Sequence, residues 1–200
     1  MGDDLATWAS RASGDGASGV PVPSVLQQRP YTCGPAVLVA VLRYFGRAVD
    51  EPRIAAEAGS TPDGTSFDGM EQALRARGLT TERRDDLTPE SIKQLLKQGA
   101  LVVVALQAWR DELPPLGGYA NEWDEGHYVV PVAVDDDAVL FEDPAVAGRR
   151  AFLTRGEFAR RWHDVDAGGV YQAGFGLVVR GKGPVLWRKL SRLPPPVRMG

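Results

Sequence analysis

The 200-residue chain has one cysteine and two histidines, and its 23 basic residues nearly balance its 26 acidic ones. Each scarcity excludes something. One cysteine makes no internal disulfide and no multi-cysteine zinc site. The acidic runs "DDDA" and "FED" lack a histidine pair at ligand spacing and read as solvated turns, so neither metal nor cofactor is expected. A net charge of −3 without clustered Lys and Arg is unsuited to neutralising phosphates, which argues against nucleic acid as a partner. The longest strongly apolar run, "ALVVVAL" at 100–106, is too short to span a bilayer, so no membrane span is expected. The first residues are acidic where a signal peptide would be basic, and Ala6 stands where a myristoylation motif has Ser or Thr. A free thiol with no export signal points to a cytoplasmic protein.

A hydrophobic content of 44% is enough for one sizeable core. Residues 1–20, rich in Gly, Ser, Ala and Asp, read as a flexible arm, and the basic, proline-rich 184–200 as an extended tail. The domain between them, 21–183, changes character midway. From 33 to 98 the punctuation is helical. "CGPAVLVAVLRYFG" has Thr32 as a possible N-cap, Pro35 in its first turn and Gly46 as stop, with one apolar stripe of Val37, Leu38, Val41, Leu42 and Phe45. "EPRIAAEAG", "TSFDGMEQALRARG" (capped by Thr65 or Ser66) and "TPESIKQLLKQG" (capped by Thr88) give three more helices. From 100 to 182 strands follow: "ALVVVALQAW", "HYVVPVAVD", "AVLFED" and "GFGLVVRGK", with "DDDA" turning an antiparallel hairpin and "TRGEFARRW" a further helix. Helices followed by strands predict an α+β fold with a helical side and a sheet side. The long loop at 110–126 is a candidate functional segment, and Trp109 and Trp123 flank it where they can line a groove.

The cysteine lies in "QQRPYTCGPAVL". A lone cysteine is commonly an inert, buried residue. Cys33, however, starts a helix, where unpaired N–H groups and the dipole favour an anion and lower a thiol's pKa. Gly34 leaves space for a substrate to approach. A cysteine nucleophile needs a base, and only two histidines compete. His127 opens a strand directly after the long loop, beside Gly126. His163, in "RRWHDVD", suits a charge interaction at a helix C-terminus or a surface hydrogen bond. Asp143 closes "VLFED" on the neighbouring strand, placed to orient an imidazole, although Asp-Pro is also an ordinary turn. Strand alternation turns Glu142 to the opposite face. Gln27 and Gln28 are both available as amide donors to an oxyanion.

Taken in order along the chain, "QQRPYTCGPAVL", "GHYVVPVAV" and "LFEDP" resemble papain-like cysteine peptidases, specifically the bacteriocin-processing, double-glycine leader-peptidase group, over about residues 24–180. The resemblance implies a two-lobed papain-like fold with the active site between a helical lobe and an antiparallel sheet lobe. It implies a stand-alone peptidase domain with Cys33 as nucleophile, His127 as general base and acid, and Asp143 as orienter. The family pattern puts the oxyanion glutamine six positions before the cysteine, on Gln27. The implied reaction is hydrolysis of a peptide or isopeptide bond, in a peptide or protein substrate, through an acyl-thioester. Acyl transfer to an amine or thiol would use the same intermediate, and a non-catalytic peptide-binding domain would keep the same cleft.

Overall fold

Helix α1 (Cys33–Tyr44) was expected to bury one stripe, but it is buried on every side, with only Arg43 among its residues reaching solvent. The sequence explains this: its first ten residues carry no charge, so no face prefers water. It packs with α2 (Glu51–Glu57) and α3 (Phe67–Ala76) against β4 (Gly126–Val134), and its buried residues run into the core of the molecule. The computed structural model describes residues 18–110, 118–146, 148–165, 171–183, 188–189 and 195–200. The first 17 residues of the expected arm, the loop residues 111–117 and much of the expected tail therefore lie outside the described residues.

Two of the three expected helix caps form, at Ser66 and Thr88, whereas Thr32 makes no side-chain cap; Asp50 and Thr154 cap two further helices. Asp50 accepts from the Arg53 N–H at the start of α2, and Ser66, rather than Thr65, accepts from Gly69 at the start of α3. Thr88 and Ser91 make a reciprocal capping box at α4 (Pro89–Lys97), as Thr154 and Glu157 do at α5 (Arg155–Arg161). Each cap satisfies N–H groups that the first helical turn leaves without partners. Among the described residues no helix is long and apolar enough to cross a membrane.

The main sheet has seven strands in the order β11 (Val197–Arg198), β6 (Ala151–Thr154), β5 (Ala138–Glu142), β4, β3 (Leu101–Gln107), β9 (Gly176–Arg180) and β2 (Thr80–Arg84). Every pairing is antiparallel except that of β11 with β6. The chain is thus α+β, as expected. One strand falls inside the stretch expected to be helical: β2, "TTERR", is a polar edge strand with no apolar alternation to reveal it. Short β7 (His163–Val165) and β8 (Tyr171–Ala173) form a separate hairpin.

Strand β4 divides its partners. Gly126–Val129 pair with β3, and Val130–Val134 pair with β5. Pro131 is tolerated inside the sheet because the register shifts between Pro131 and Ala133, and because β3 pairing has already ended there. This handover places the start of β4 beside the end of β5, where the candidate residues lie.

Described residues on either side of 21–183 also pair with strands of the molecule. Strand β1 (Ser18–Gly19) pairs with β10 (Arg188–Lys189), and Val20 is fully buried, donating to the Val132 carbonyl. Residues 195–200 do not trail away as an extended tail: β11 adds to the sheet, and Met199 is buried. A buried ion pair ties the N-terminal segment down. Glu142 accepts from the Val25 N–H and pairs with Arg150, whose guanidinium donates to the Val22 carbonyl. Burial lowers the Arg150 pKa to about 10, which still leaves it charged at neutral pH.

Removing one partner strands the other charge inside the protein. Arg150→Met should therefore cost ~3–5 kcal/mol in urea unfolding, with much of the loss recovered in the Glu142→Leu/Arg150→Met double variant.

Candidate active site

Cys33 is the first residue of α1, and the chain leaves that helix end unusually bare. Thr32 occupies the N-cap position, but its hydroxyl is bound to the Arg29 backbone and caps nothing. No acidic residue sits in the first turn. The positive end of the helix is thus not neutralised by a side chain, which favours an anion at the sulfur. The His127 side chain and the backbone at Tyr128 and Gly34 act on the thiol and lower its pKa. Gly34 has a packing role as well: a Cβ there would lie 2.7 Å from Met70 Cε and 2.9 Å from Thr65.

His127 is the second residue of β4 and is 7% exposed. Its Nε2 lies 2.7 Å from Asp143 Oδ1, which leaves Nδ1 for the thiol. The β4–β5 register explains the pairing. Val130 lies opposite Glu142, so the next position out sets Asp143 against Val129, on the same face as His127. Glu142 faces the other way, into its pair with Arg150, as alternation requires. Asp143 is fully buried, with Oδ1 also accepting from the Ala145 N–H at 2.8 Å and Oδ2 from the Trp109 indole at 2.9 Å. The Asp-Pro turn exists too, since the Val146 N–H reaches the Asp143 carbonyl. Turn and orientation are served by one residue.

The titration of the pair follows from these contacts. Burial alone would raise the Cys33 thiol, but the hydrogen bond and positive charge of His127 outweigh it and bring the pKa below the ordinary thiol value. Burial likewise opposes the charged imidazole, yet hydrogen bonds to Asp143 and Cys33 hold His127 up at about 10. Both shifts favour thiolate beside imidazolium at neutral pH.

Gln27 is placed differently. Its Nε2 donates to the Arg29 and Pro30 carbonyls, both at 3.0 Å, while Oε1 is buried without a partner. The backbone N–H of Gln27 donates to Pro144 O, which ties the loop before the cysteine to the turn after Asp143. Gln28 is exposed, and its N–H is bound to Glu51. Three of the four predicted residues therefore fall in series, Cys33 next to His127 and His127 bonded to Asp143, with the glutamine anchored next to the same turn by its backbone.

His163 is not on the surface, but it does meet the end of α5, where the Arg160 backbone lies against its ring. It is buried, its Nε2 lies 2.7 Å from the Glu122 carbonyl, and its ring packs 4.3 Å from that of Trp123. Burial lowers its pKa, so it acts as neutral packing for the segment that precedes β4.

A cavity of about 680 Å³ opens on Cys33, lined among others by Tyr31, Thr65, Trp123, Tyr128 and Asp164. Trp123 thus lines the groove, as its place beside the long loop suggested; Trp109 instead braces Asp143 from within. Tyr128 fixes one wall by donating to the Thr65 carbonyl at 2.8 Å. Asp164 was not foreseen. Its carboxylate accepts from Gln107 Nε2, and burial raises its pKa to about 6. It lies so close to Gly126 that a Cβ there would meet its oxygens at 2.7 and 2.8 Å, which explains the glycine before His127. Neither Trp109 nor Asp164 carries a local sequence signal, because each reaches the site only through sheet pairing.

With the geometry established, the chain can be set beside known proteins. The sequence profile described as "Peptidase C39 family" matches residues 21–166. An uncharacterized protein of Methanothermobacter thermautotrophicus is 30% identical over 141 residues, covering 68% of this chain and 80% of the relative. The lactococcin-G-processing and transport ATP-binding protein LagD of Lactococcus lactis is 25% identical over 144 residues, covering 70% of this chain but 18% of that longer protein. Three solved structures share the fold. The peptidase domain of Streptococcus ComA aligns with a TM-score of 0.58 at 15% identity, covering 80% of this chain and 99% of that one. A double-glycine motif protease from an AMS/PCAT transporter, solved with its leader peptide, gives 0.57 at 19%, covering 84% and 95%. A protein described as a C39-like peptidase from Bacillus anthracis gives 0.63 at 16%, covering 84% and 99%. The fold is papain-like and two-lobed, with helices on one side and the antiparallel sheet on the other.

The two pKa directions fix the sign of a pH experiment. Because Cys33 is held below the ordinary thiol value, alkylation by iodoacetamide should begin at lower pH than for an ordinary thiol and fall only where the sulfur protonates. In His127→Ala the hydrogen bond and charge that lower the thiol are gone and burial remains, so the onset should move to higher pH. Mass spectrometry of the intact protein after timed labelling checks both.

Proposed function

The chain belongs to the Peptidase C39 family, and from that membership we propose that it is a cysteine peptidase hydrolysing a peptide or isopeptide bond with Cys33, His127 and Asp143. The observation that carries the proposal is the buried His127–Asp143 hydrogen bond at 2.7 Å, with the imidazole acting on the Cys33 thiol at the bare end of α1.

In the proposed reaction the Cys33 thiolate attacks the carbonyl carbon of a substrate peptide lying in the cavity. The carbonyl π electrons move to oxygen, and the resulting oxyanion is met by the Cys33 backbone N–H and the Gln27 amide. Gln27 Nε2 already has two carbonyl acceptors in its own loop, so it serves the oxyanion by exchanging one of them for the substrate oxygen. Collapse of the tetrahedral intermediate expels the amine, which takes its proton from the His127 imidazolium. The acyl group is then bound to sulfur as a thioester. Neutral His127 deprotonates an incoming water, hydroxide adds to the thioester, and the thiolate leaves as the acid is released. Asp143 keeps the imidazole turned toward the sulfur throughout, and offsets its positive charge.

The catalytic unit proposed is residues 21–183 together with the docked segment 195–200. Its substrate class is a peptide; the transporter-derived protease was solved in complex with its leader peptide. A reduced Cys33 suits action in a reducing compartment such as the cytoplasm.

Incubation with a diverse peptide mixture, read by mass spectrometry, tests the reading. Cys33→Ala should abolish cleavage with the fold intact, and turnover that survives in this variant overturns the proposal. Gln27→Ala should lower kcat by roughly 10²–10³-fold, as loss of one oxyanion donor does, with a smaller change in KM.

A further inference from the structure

Trp109 is the only non-glycine residue among those described with positive φ, at 61°. A bulky side chain in the left-handed region is strained, and it persists only where the surroundings hold it there. The holding groups come from the far end of the chain. The Trp109 N–H donates to the Gly200 carbonyl at 2.9 Å, and the indole lies against Gly200 closely enough that a Cβ there would be 3.4 Å from its Cε3. Arg161 Nη1 donates to the same carbonyl at 2.8 Å.

Residues 195–200 are themselves strapped onto the sheet. The Val197 N–H donates to the Arg150 carbonyl and the Met199 N–H to Phe152, Arg198 pairs with Glu157, and the Met199 side chain is 1% exposed. The strap lies outside the part of the chain that the family profile matches, which ends at 166. Gly200 meets Trp109, whose indole donates to Asp143 Oδ2.

We propose that Trp109 is a positioning residue for the triad, and that docking of residues 195–200 sets it, so that the reactivity of Cys33 is conditional on the strap. This inference rests on the catalytic reading of Cys33, His127 and Asp143. The physical route is short. With the strap docked, Trp109 is held in its strained conformation and its indole satisfies Oδ2 of a carboxylate that has no access to water. Asp143 Oδ1 is then fixed between the Ala145 N–H and His127. With the strap released, Trp109 loses both the acceptor for its N–H and the packing on its ring, and it relaxes toward ordinary φ. The indole swings off Oδ2, the carboxylate turns or draws in water, and the imidazole is no longer aimed at the sulfur.

The test uses the full chain and reads the rate of Cys33 alkylation by iodoacetamide against pH, which requires no knowledge of the substrate. Trp109→Phe keeps the ring and removes the donor. Met199→Asp puts a charge where the strap is buried and should undock it. Each is expected to slow alkylation near pH 6 by about tenfold, the scale on which partners of a functional side chain act, and to shift the profile upward. The double variant should be no slower than Trp109→Phe alone, because both changes break one series of contacts. Circular dichroism establishes that each variant is folded; if Met199→Asp is not, Met199→Ala, which thins the anchor without charging it, carries the same comparison.

A folded strap variant with the wild-type rate and profile overturns the inference, as does a double variant whose losses multiply. Failure of the underlying reading looks different: wild-type Cys33 would then show an ordinary thiol profile that His127→Ala does not move.

Discussion

A carboxylate sealed from water is the constraint around which this protein is arranged. Asp143 has no exposed surface, so every acceptor position on it has to be answered from inside the molecule. His127, the Ala145 N–H and the Trp109 indole do so from three different parts of the chain. Each of those donors is in turn fixed by something larger: the handover of β4 from β3 to β5, the Asp-Pro turn, and the end of β3 with the strap beyond it. The charge of the carboxylate then reaches the sulfur through one imidazole. Burial is unfavourable for each ionised group taken singly, and the arrangement holds because opposite charges and directed hydrogen bonds offset it.

A second buried charge sits one residue away and performs a different task. Glu142 and Arg150 occupy the other face of the same strand end, where they hold Val22 and Val25 rather than a reactive group. One pleat of backbone thus separates a fastening from a site. The segment so fastened leads directly into Gln27, whose N–H reaches back to Pro144. The loop carrying the candidate oxyanion donor is consequently located at two points, both beside Asp143.

Much of this was legible in the sequence because it depends on local rules. Helix caps at Ser66 and Thr88 are short-range hydrogen bonds written in adjacent letters. The separation of Glu142 from Asp143 follows from alternation alone. Cys33 and His127 stood out because each type is scarce. What could not be read depends on contacts between distant segments. β2 is a strand only because β9 lies beside it, and "TTERR" has no apolar face to announce that. Trp109 looked like a groove residue, whereas its indole is spent on Asp143. The proline-rich end looked like a solvated tail, and only the exposed edge of β6 shows why its last residues have somewhere to go. The single-stripe reading of α1 failed for a related reason: a helix without charges can bury all its faces once a sheet and two helices surround it.

The polar strand β2 has a consequence for how polypeptides meet this molecule. An uncovered sheet edge is a template onto which any extended chain can add itself by backbone pairing. β2 closes one margin of the main sheet with Thr80, Thr81, Glu82, Arg83 and Arg84, and its arginines are engaged with Asp68, Glu71 and Asp86. An incoming strand would have to settle beside that charged row. The margin therefore resists both self-association into fibrils and indiscriminate capture of unfolded chains.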